Sequence, residues 1–267
     1  MNRIAATFSK LKSANQKVLI PFITAGDPKP EVTVPLMHAL VKAGANLIEL
    51  GVPFSDPMAD GPTIQRSSER ALANGVSLAH VITMVAEFRK TDKLTPVVLM
   101  GYANPVEAMG TDHFILTAKE SGVDGVLIVD YPPEESTEWA QQLNNSEIDP
   151  IFLLSPTTPV ERVKQVASLA RGFIYYVSLK GVTGASHLDL TEVQTKLTQV
   201  RSLVSIPIGV GFGIRDAQTA KAISKLADAV VIGSRIIEEI EKTSESALFE
   251  TLSDLVGSMR KAIDETN

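Results

Sequence analysis

The chain contains no cysteine among its 267 residues. This absence excludes disulfide bonds, thiolate catalysis and the zinc sites that depend on cysteine ligands. It is compatible with a reducing compartment, and we expect a cytoplasmic protein. No apolar run approaches the ~18 residues that a membrane-spanning helix needs, so the sequence predicts no such helix.

Positive charge is scarce as well. The 25 Lys and Arg are outnumbered by 31 Asp and Glu, which gives a net charge of -6. The broad basic surface of nucleic-acid-binding proteins is therefore not expected. An anionic substrate would have to be held by local groups rather than by the field of the whole protein.

Apolar, often β-branched segments recur along the chain, and a helical pattern follows each of them. Because these segments do not alternate polar with apolar residues, they are typical of parallel strands buried on both faces. The predicted strands are Val18–Thr24, Asn46–Gly51, Pro96–Gly101, Gly125–Val129, Pro150–Leu154, Ile174–Val177, Pro207–Gly211 and Ala229–Ile232.

This succession of strand–helix units predicts an α/β fold with one closed (β/α)8 barrel. The gap between the second and third strands has room for two helices, near Pro62–Asn74 and Ser77–Lys90. No linker or low-complexity segment interrupts residues 1–267, which predicts a single domain. An open doubly wound sheet is the structural alternative.

The N-terminal segment contains no acidic residue before Asp27, which would fit a transit peptide. However, Ile4, Phe8 and Leu11 share one helical face. We therefore favour a surface helix that closes the bottom of the barrel.

Reactive groups of this fold lie at the C-terminal ends of the strands and in the loops that follow. Glu49 lies in the second predicted strand, between Ile48 and Leu50. Strand alternation puts these two neighbours on one face and Glu49 on the other, the barrel interior. Burial would raise the pKa of that carboxyl, which suits proton transfer near neutral pH. The alternative is a carboxylate that caps a loop amide or pairs with a base.

Asp60 follows in the loop after the Glu49 strand. Both carboxyl groups can therefore face one pocket. Asp56 and Asp60 are equally good turn or helix-capping residues. The residues alone leave Asp60 open between a cap and a catalytic group.

Glycine-rich segments follow the last two predicted strands, at Gly209–Gly213 and Gly233–Arg235. In barrels, loops at these positions commonly bind phosphate together with a helix N-terminus. Ordinary tight turns would use the same residues. The segment Ser178–Ser186, after the sixth strand, is long enough for a lid over the site or for a surface loop without a role.

The lysines and histidines of the chain show no pattern that indicates a catalytic role. No Lys falls inside a predicted strand, and the four His are scattered without the spacing of metal ligands. Schiff-base and metal-assisted reactions therefore have little support. Acid–base catalysis by carboxyl groups is what the chain can best supply, and it requires a substrate with its own electron sink.

Five segments stand out as a set, which consists of Pro21–Pro28, Glu49–Pro57, Ala59–Gln65, Gly181–Gly184 and Gly209–Ile214. Together they resemble the tryptophan synthase α subunit family, and the resemblance covers essentially the whole chain. It implies a carbon–carbon lyase that cleaves indole-3-glycerol phosphate into indole and glyceraldehyde 3-phosphate. The protonated indole ring would be the electron sink.

The resemblance also implies roles for individual residues. Glu49 would shuttle protons, Asp60 would accept a hydrogen bond from the indole N–H, and Tyr175 would stand beside Glu49 against the substrate. The walls of the indole pocket would be Phe22, Met100, Leu127, Leu153 and Phe212, each of which would serve equally well as plain barrel core. The phosphate would be held by Gly184, Gly213, Gly233 and Ser234. Thr183, in the lid, would touch Asp60 on closure.

The family works as an α2β2 complex in which the β subunit carries pyridoxal phosphate and activates the α subunit. The resemblance therefore implies no cofactor in this chain, and it implies transfer of indole to that partner. The residues expected to face the partner are Pro53, Phe54, Asp56 and Asn104.

The chain departs from the pattern expected of the family at Met100, Tyr131, Val129, Leu153 and Leu179–Lys180. Met100, Val129 and Leu153 fall in the expected pocket region and Leu179–Lys180 falls in the lid, whereas Tyr131 replaces a smaller residue after Asp130. None of these departures concerns the reaction. Two other functions remain as alternatives. A sugar-phosphate isomerase or epimerase would fit the phosphate loops but not the loop up to Asp60. An inactive regulatory subunit would have lost its carboxylates, and both are present.

Overall fold

The computed structural model describes residues 2–177, 190–211 and 213–265. Within these residues, nine strands form one sheet in the order β5-β4-β3-β2-β1-β9-β8-β7-β6, and every pair of neighbours is parallel. The strands are β1 (Val18–Thr24), β2 (Ile48–Gly51), β3 (Val97–Gly101), β4 (Gly125–Ile128), β5 (Asp149–Pro150), β6 (Phe152–Leu154), β7 (Ile174–Val177), β8 (Ile208–Gly211) and β9 (Ala229–Ile232).

The strands β5 and β6 are two halves of the single strand predicted at Pro150–Leu154. Pro150 has no N–H to donate to a neighbouring strand, which interrupts the ladder at this point. Ile151, between the halves, donates its N–H to the carbonyl of Val126 at 2.9 Å. Because β5 pairs with β4 and β6 pairs with β7, this divided strand closes the circle. The predicted (β/α)8 barrel is confirmed, and the open sheet is wrong.

Helices surround the barrel, and some consecutive strands are separated by two helices rather than one. The helices among the described residues are α1 (Arg3–Ser13), α2 (Pro30–Lys42), α3 (Pro62–Ala73), α4 (Leu78–Phe88), α5 (Ala103–Met109), α6 (Thr111–Ser121), α7 (Thr137–Asn145), α8 (Val160–Leu169), α9 (Leu190–Arg201), α10 (Ala217–Ser224), α11 (Ser234–Lys242) and α12 (Leu248–Asp264), with a 3-10 turn at Pro133–Glu135. The two helices predicted between the second and third strands are α3 and α4. The pair α5 and α6, between β3 and β4, was not predicted.

The apolar core has two layers. An outer layer lies between the sheet and the helices and includes Ile48 and Leu50. An inner layer fills the barrel and includes Leu47 and Val98. The register pairs Glu49 with Val98, and Glu49 is almost fully buried. The alternation along β2 therefore turns Glu49 inward, as predicted.

The helix α1 closes the lower end of the barrel. Its buried residues Ile4 and Phe8 belong to the inner layer, and the Phe8 ring lies 5.8 Å from that of Phe173. Arg3 in the same helix donates to Asp124, just before β4, at 2.8 Å. Charge and apolar contact together hold this helix at the N-terminal ends of the strands.

No single helix among the described residues is long and apolar enough to cross a membrane. The pair α3 and α4 passes the same test of length and composition only when taken together, and it is bent by 90° at the junction.

Candidate active site

A cleft of about 270 Å³ opens where β1, β2 and β3 end. It lies at the C-terminal end of the barrel, where this fold places reactive groups. The residues that line it are Phe22, Thr24, Gly51, Val52, Asp60, Ile64, Ser68, Met100, Gly101, Tyr102 and Val129. The lining therefore combines apolar side chains with one carboxyl group and three hydroxyls.

Glu49 lies in the barrel interior, beside the residues that form this cleft. It pairs in register with Phe22 of β1, and only 1% of its surface is exposed. Neither carboxyl oxygen has a hydrogen-bond partner among the described residues. Burial, followed by the negative charge of Asp60, raises the pKa of Glu49 from 4.5 to about 8. At neutral pH this carboxyl is protonated and can donate a proton. The alternative of a capping or ion-paired carboxylate is not seen.

Asp60 lines the cleft and faces the same region as Glu49. Its Oδ2 accepts a hydrogen bond from the hydroxyl of Tyr102 at 2.9 Å. Burial raises its pKa, and the Tyr102 hydrogen bond lowers it in part. The N-cap of the following helix α3 is Gly61 rather than Asp60. The Asp60 side chain is thus bound to a phenol at the edge of the cleft instead of capping a helix.

Tyr175 is the third polar group of this interior. It lies in β7, and burial and the charges of Glu49 and Asp60 raise the pKa of its hydroxyl. A side chain at position 211 could not coexist with this ring, because a Cβ there would lie 2.3 Å from the Tyr175 hydroxyl. Gly211 at the end of β8 therefore makes room for Tyr175. The hydroxyl stays protonated and available as a donor at neutral pH.

The predicted apolar wall divides into two sets. Phe22 and Met100 line the cleft directly. Leu127 is fully buried in the inner layer, and Leu153 packs against that layer. In register, Met100 pairs with Leu127, and Leu153 pairs with Tyr175. Two of these four residues therefore line the cleft, and the other two lie in the barrel interior, each on the strand beside another predicted site residue.

The three predicted phosphate residues that the structure describes lie at the start of α11 and after β8. Gly233 is the N-cap of α11 and Ser234 is its first residue. A Cβ at Gly233 would lie 3.8 Å from the Cβ of Phe22, so this helix start adjoins the cleft. Gly213 has a φ of +67°, which favours glycine. The positive end of a helix dipole therefore lies beside the cleft, where an anion can bind.

Some of the predicted residues fall outside the described part of the chain. These are Thr183, Gly184 and Phe212, together with the whole predicted lid at Ser178–Ser186. Their roles stay predictions.

The residues predicted to face a partner lie on two adjoining segments. Phe54 is half-buried, and its ring lies 5.2 Å from that of Tyr102. Pro53 is buried, whereas Asp56 and Asn104 are exposed. A contact with another protein would therefore begin from Asp56 and Asn104.

The structure also adds residues that the sequence did not single out. Thr24, Ser68 and Tyr102 all line the cleft. Tyr102 could have been found, because it directly follows Gly101 at the C-terminal end of β3. Ser68 could not have been found, because it lies in α3, and a position within a helix does not indicate that a residue faces the cleft. Among the departures from the family pattern, Tyr131 donates a hydrogen bond to Glu107 in α5.

A closed parallel barrel with a buried carboxylic acid, a second carboxyl at the cleft and a helix start beside it defines a (β/α)8-barrel enzyme of acid–base type. Among the described residues, no cluster of three or more His, Asp or Glu is arranged to hold a metal ion.

Comparisons with known proteins narrow this class to one family. The family model described as tryptophan synthase alpha chain matches residues 8–264. The alpha chain of Nitrosomonas europaea is 68% identical over 264 residues, which are 99% of this chain and 96% of the relative. That of Nitrosospira multiformis is 66% identical, over 99% of this chain and 95% of the relative. The crystal structure of tryptophan synthase subunit alpha from Legionella pneumophila str. Paris superposes with a TM-score of 0.94 at 46% identity, covering 99% of both chains.

The chain belongs to the tryptophan synthase alpha chain family. It is a lyase of tryptophan biosynthesis, and its reaction is the retro-aldol cleavage of indole-3-glycerol phosphate to indole and glyceraldehyde 3-phosphate.

Proposed function

We propose that Glu49 and Asp60 carry out this cleavage, with Glu49 as the proton shuttle and Asp60 as the partner of the indole N–H. The observation that carries the proposal is the buried Glu49 carboxyl, whose pKa of about 8 keeps it protonated beside Asp60. A group with a pKa near the working pH is the most effective proton donor and acceptor.

In the first step, Glu49 donates its proton to C3 of the indole ring. The ring becomes an indolenine cation whose positive charge spreads to the ring nitrogen. Asp60 accepts the hydrogen bond from that N–H and stabilises the cation. A single charge-stabilising group of this kind can lower a barrier by about 3–4 kcal/mol.

In the second step, the Glu49 carboxylate takes the proton of the side-chain hydroxyl next to the ring. The carbon–carbon bond breaks, its electrons restore the aromatic ring, and the side chain leaves as an aldehyde. Glu49 has then given one proton and received one, so it is ready for the next cycle. The ring serves as the electron sink, and the chemistry needs no Lys Schiff base.

The apolar lining and the helix start bind the two ends of the substrate. Phe22, Met100, Leu127, Leu153 and Phe212 enclose the indole ring, and Tyr175 positions it against Glu49. The phosphate group is held by Gly184, Gly213, Gly233 and Ser234. This is supported by the position of the α11 start beside Phe22. Thr183 reaches Asp60 when the lid closes.

The partner is a tryptophan synthase β subunit in an α2β2 complex. Pyridoxal phosphate belongs to that subunit, which receives indole and raises the activity of this chain. The exposed residues Asp56 and Asn104, with Pro53 and Phe54 behind them, form the contact surface. The complex works in the cytoplasm.

The test is indole formation from indole-3-glycerol phosphate by purified protein, with a purified β subunit present. We expect Glu49→Gln to lower kcat about 1000-fold, while glycerol phosphate binds it within about threefold of wild type. The matched control is Asp149→Asn, because Asp149 is the other described carboxyl with an unpartnered buried oxygen. It begins β5 and pairs with the first residue of β4, so it lies at the N-terminal end of the barrel rather than at its mouth. Near-normal turnover by Glu49→Gln would remove Glu49 from the mechanism.

A further inference from the structure

The hydroxyl of Tyr102 makes two hydrogen bonds to the loop that carries Asp60. It donates to Oδ2 of Asp60 at 2.9 Å, and it accepts the backbone N–H of Ala59 at 3.1 Å. The Tyr102 ring also contacts that of Phe54 in the same loop, with centroids 5.2 Å apart. One side chain therefore holds the loop at three points, within the seven residues from Phe54 to Asp60.

Tyr102 is itself fixed by its surroundings. Only 4% of its surface is exposed, and it is the N-cap of α5. The next residue, Ala103, donates its N–H to Oδ1 of Asp130 at 2.8 Å. Both the ring and the backbone are held, so the hydroxyl presents a fixed donor to Asp60. Burial and the charge of Asp60 raise the pKa of this phenol, which keeps it a donor at every working pH.

We propose that Tyr102 is a positioning residue for the reaction, one that fixes the direction in which the Asp60 carboxylate faces the indole N–H. A carboxylate on a flexible loop samples many orientations, and only some point its free oxygen at the ring nitrogen. By binding Oδ2, Tyr102 leaves Oδ1 as the oxygen that meets the substrate. The inference rests on the proposed role of Asp60.

The hydrogen bond has a second, electrostatic effect. It favours the ionised form of Asp60 and so opposes the rise in pKa that burial causes. Asp60 must be ionised to stabilise the indolenine cation. Without the Tyr102 hydroxyl, the pKa of Asp60 rises, and a larger fraction of the enzyme is inactive at mildly acidic pH.

The experiment compares Tyr102→Phe with wild type in the presence of the β subunit. Phenylalanine keeps the ring contact with Phe54 and the burial, and it removes the hydroxyl alone. We expect kcat to fall about 10- to 100-fold, as slight misplacement of a catalytic group can cause, while KM changes by less than about threefold. The acid limb of the kcat/KM profile moves to higher pH. A role in folding alone would leave that limb in place.

Two further variants make the outcomes distinct. Tyr131→Phe is the matched control, because the Tyr131 hydroxyl also donates a hydrogen bond to a carboxylate, that of Glu107. Tyr131 does not line the cleft. We therefore expect this variant to keep the wild-type kcat and pH profile. Asp60→Asn tests the proposed function. If Asp60→Asn is fully active, the role of Asp60 fails. If Asp60→Asn is inactive while Tyr102→Phe matches wild type in kcat and acid limb, only the positioning role is overturned. An equal loss in Tyr131→Phe also overturns it.

Discussion

Each oxygen of the Glu49 carboxyl is buried, and no described residue donates a hydrogen bond to either. In the unfolded chain this group ionises near its ordinary pKa of 4.5, whereas in the folded protein it stays neutral up to about pH 8. Between these values the unfolded state binds fewer protons than the folded state. The stability of the fold therefore falls as the pH rises through this range.

Replacing Glu49 should for this reason stabilise the protein at alkaline pH. Glutamine has no charge to bury, so the stability of Glu49→Gln relative to wild type should increase by about 1.4 kcal/mol per pH unit in this window. Above pH 8 the accumulated gain should reach about 3–5 kcal/mol. Urea unfolding at pH 5, 7 and 9 measures it, with the exposed Glu135→Gln as control. If the free energy of unfolding changed with pH in the same way for Glu49→Gln and wild type, Glu49 would not be a buried neutral acid.

The positions of some site residues could be predicted from the sequence, whereas those of others could not. Glu49 was predictable, because a charged residue inside an apolar strand is conspicuous and strand alternation fixes its face. The contact of Tyr102 with Asp60 was not, since it joins two loops 42 residues apart in sequence. Such contacts depend on how each loop bends after its strand, and neighbouring residue types do not determine that.

Among the elements, α11 contributes its N-terminus rather than its side chains. No described side chain caps its first turn, so the N–H groups at Ser234 and beyond can bind an anion. The helix is also held at its far end, where Glu241 accepts two hydrogen bonds from Arg66 of α3, each 2.7 Å. The C-terminal end of α11 is thus anchored against α3, the helix that follows the Asp60 loop.

A negative charge at this helix start should weaken substrate binding. Ser234→Asp would set a carboxylate against the substrate phosphate, and we expect KM to rise at least about tenfold, or about 1.4 kcal/mol. Stability should not fall, because an acid in the first turn favours the helix dipole. The control is Ser234→Ala, which removes the hydroxyl without adding charge. An unchanged KM in Ser234→Asp, measured by steady-state indole formation, would place the phosphate elsewhere.

The elements themselves were largely predictable. Strands β1, β7 and β9 begin and end where the apolar segments indicated. The division at Ile151 was not predicted, because it comes from backbone hydrogen bonding at Pro150 rather than from hydropathy. The short helix α5 was missed for a similar reason: its seven residues are too few for a helical period to stand out.

The two ends of the barrel have different functions. Its mouth carries the cleft with Phe22, Asp60 and Tyr102, and its base is closed by Phe8 and Ile4 of α1. Residues at the mouth are placed for chemistry, and residues at the base are placed for stability. Two phenylalanines allow a direct comparison, because Phe8 and Phe22 are each 7% exposed and lie at opposite ends.

We expect Phe8→Ala and Phe22→Ala to lose similar stability but to differ in activity. Truncation of a buried Phe costs about 3–5 kcal/mol through lost burial and the cavity left behind. Phe8→Ala should keep wild-type kcat/KM per folded molecule, because the base of the barrel does not touch the substrate. Phe22→Ala should lose kcat/KM as well, since Phe22 walls the cleft and adjoins Glu49. Urea unfolding and indole formation, measured well below the unfolding midpoint, give the two quantities. Equal losses of kcat/KM in both variants would show that the two ends of the barrel are not functionally separate.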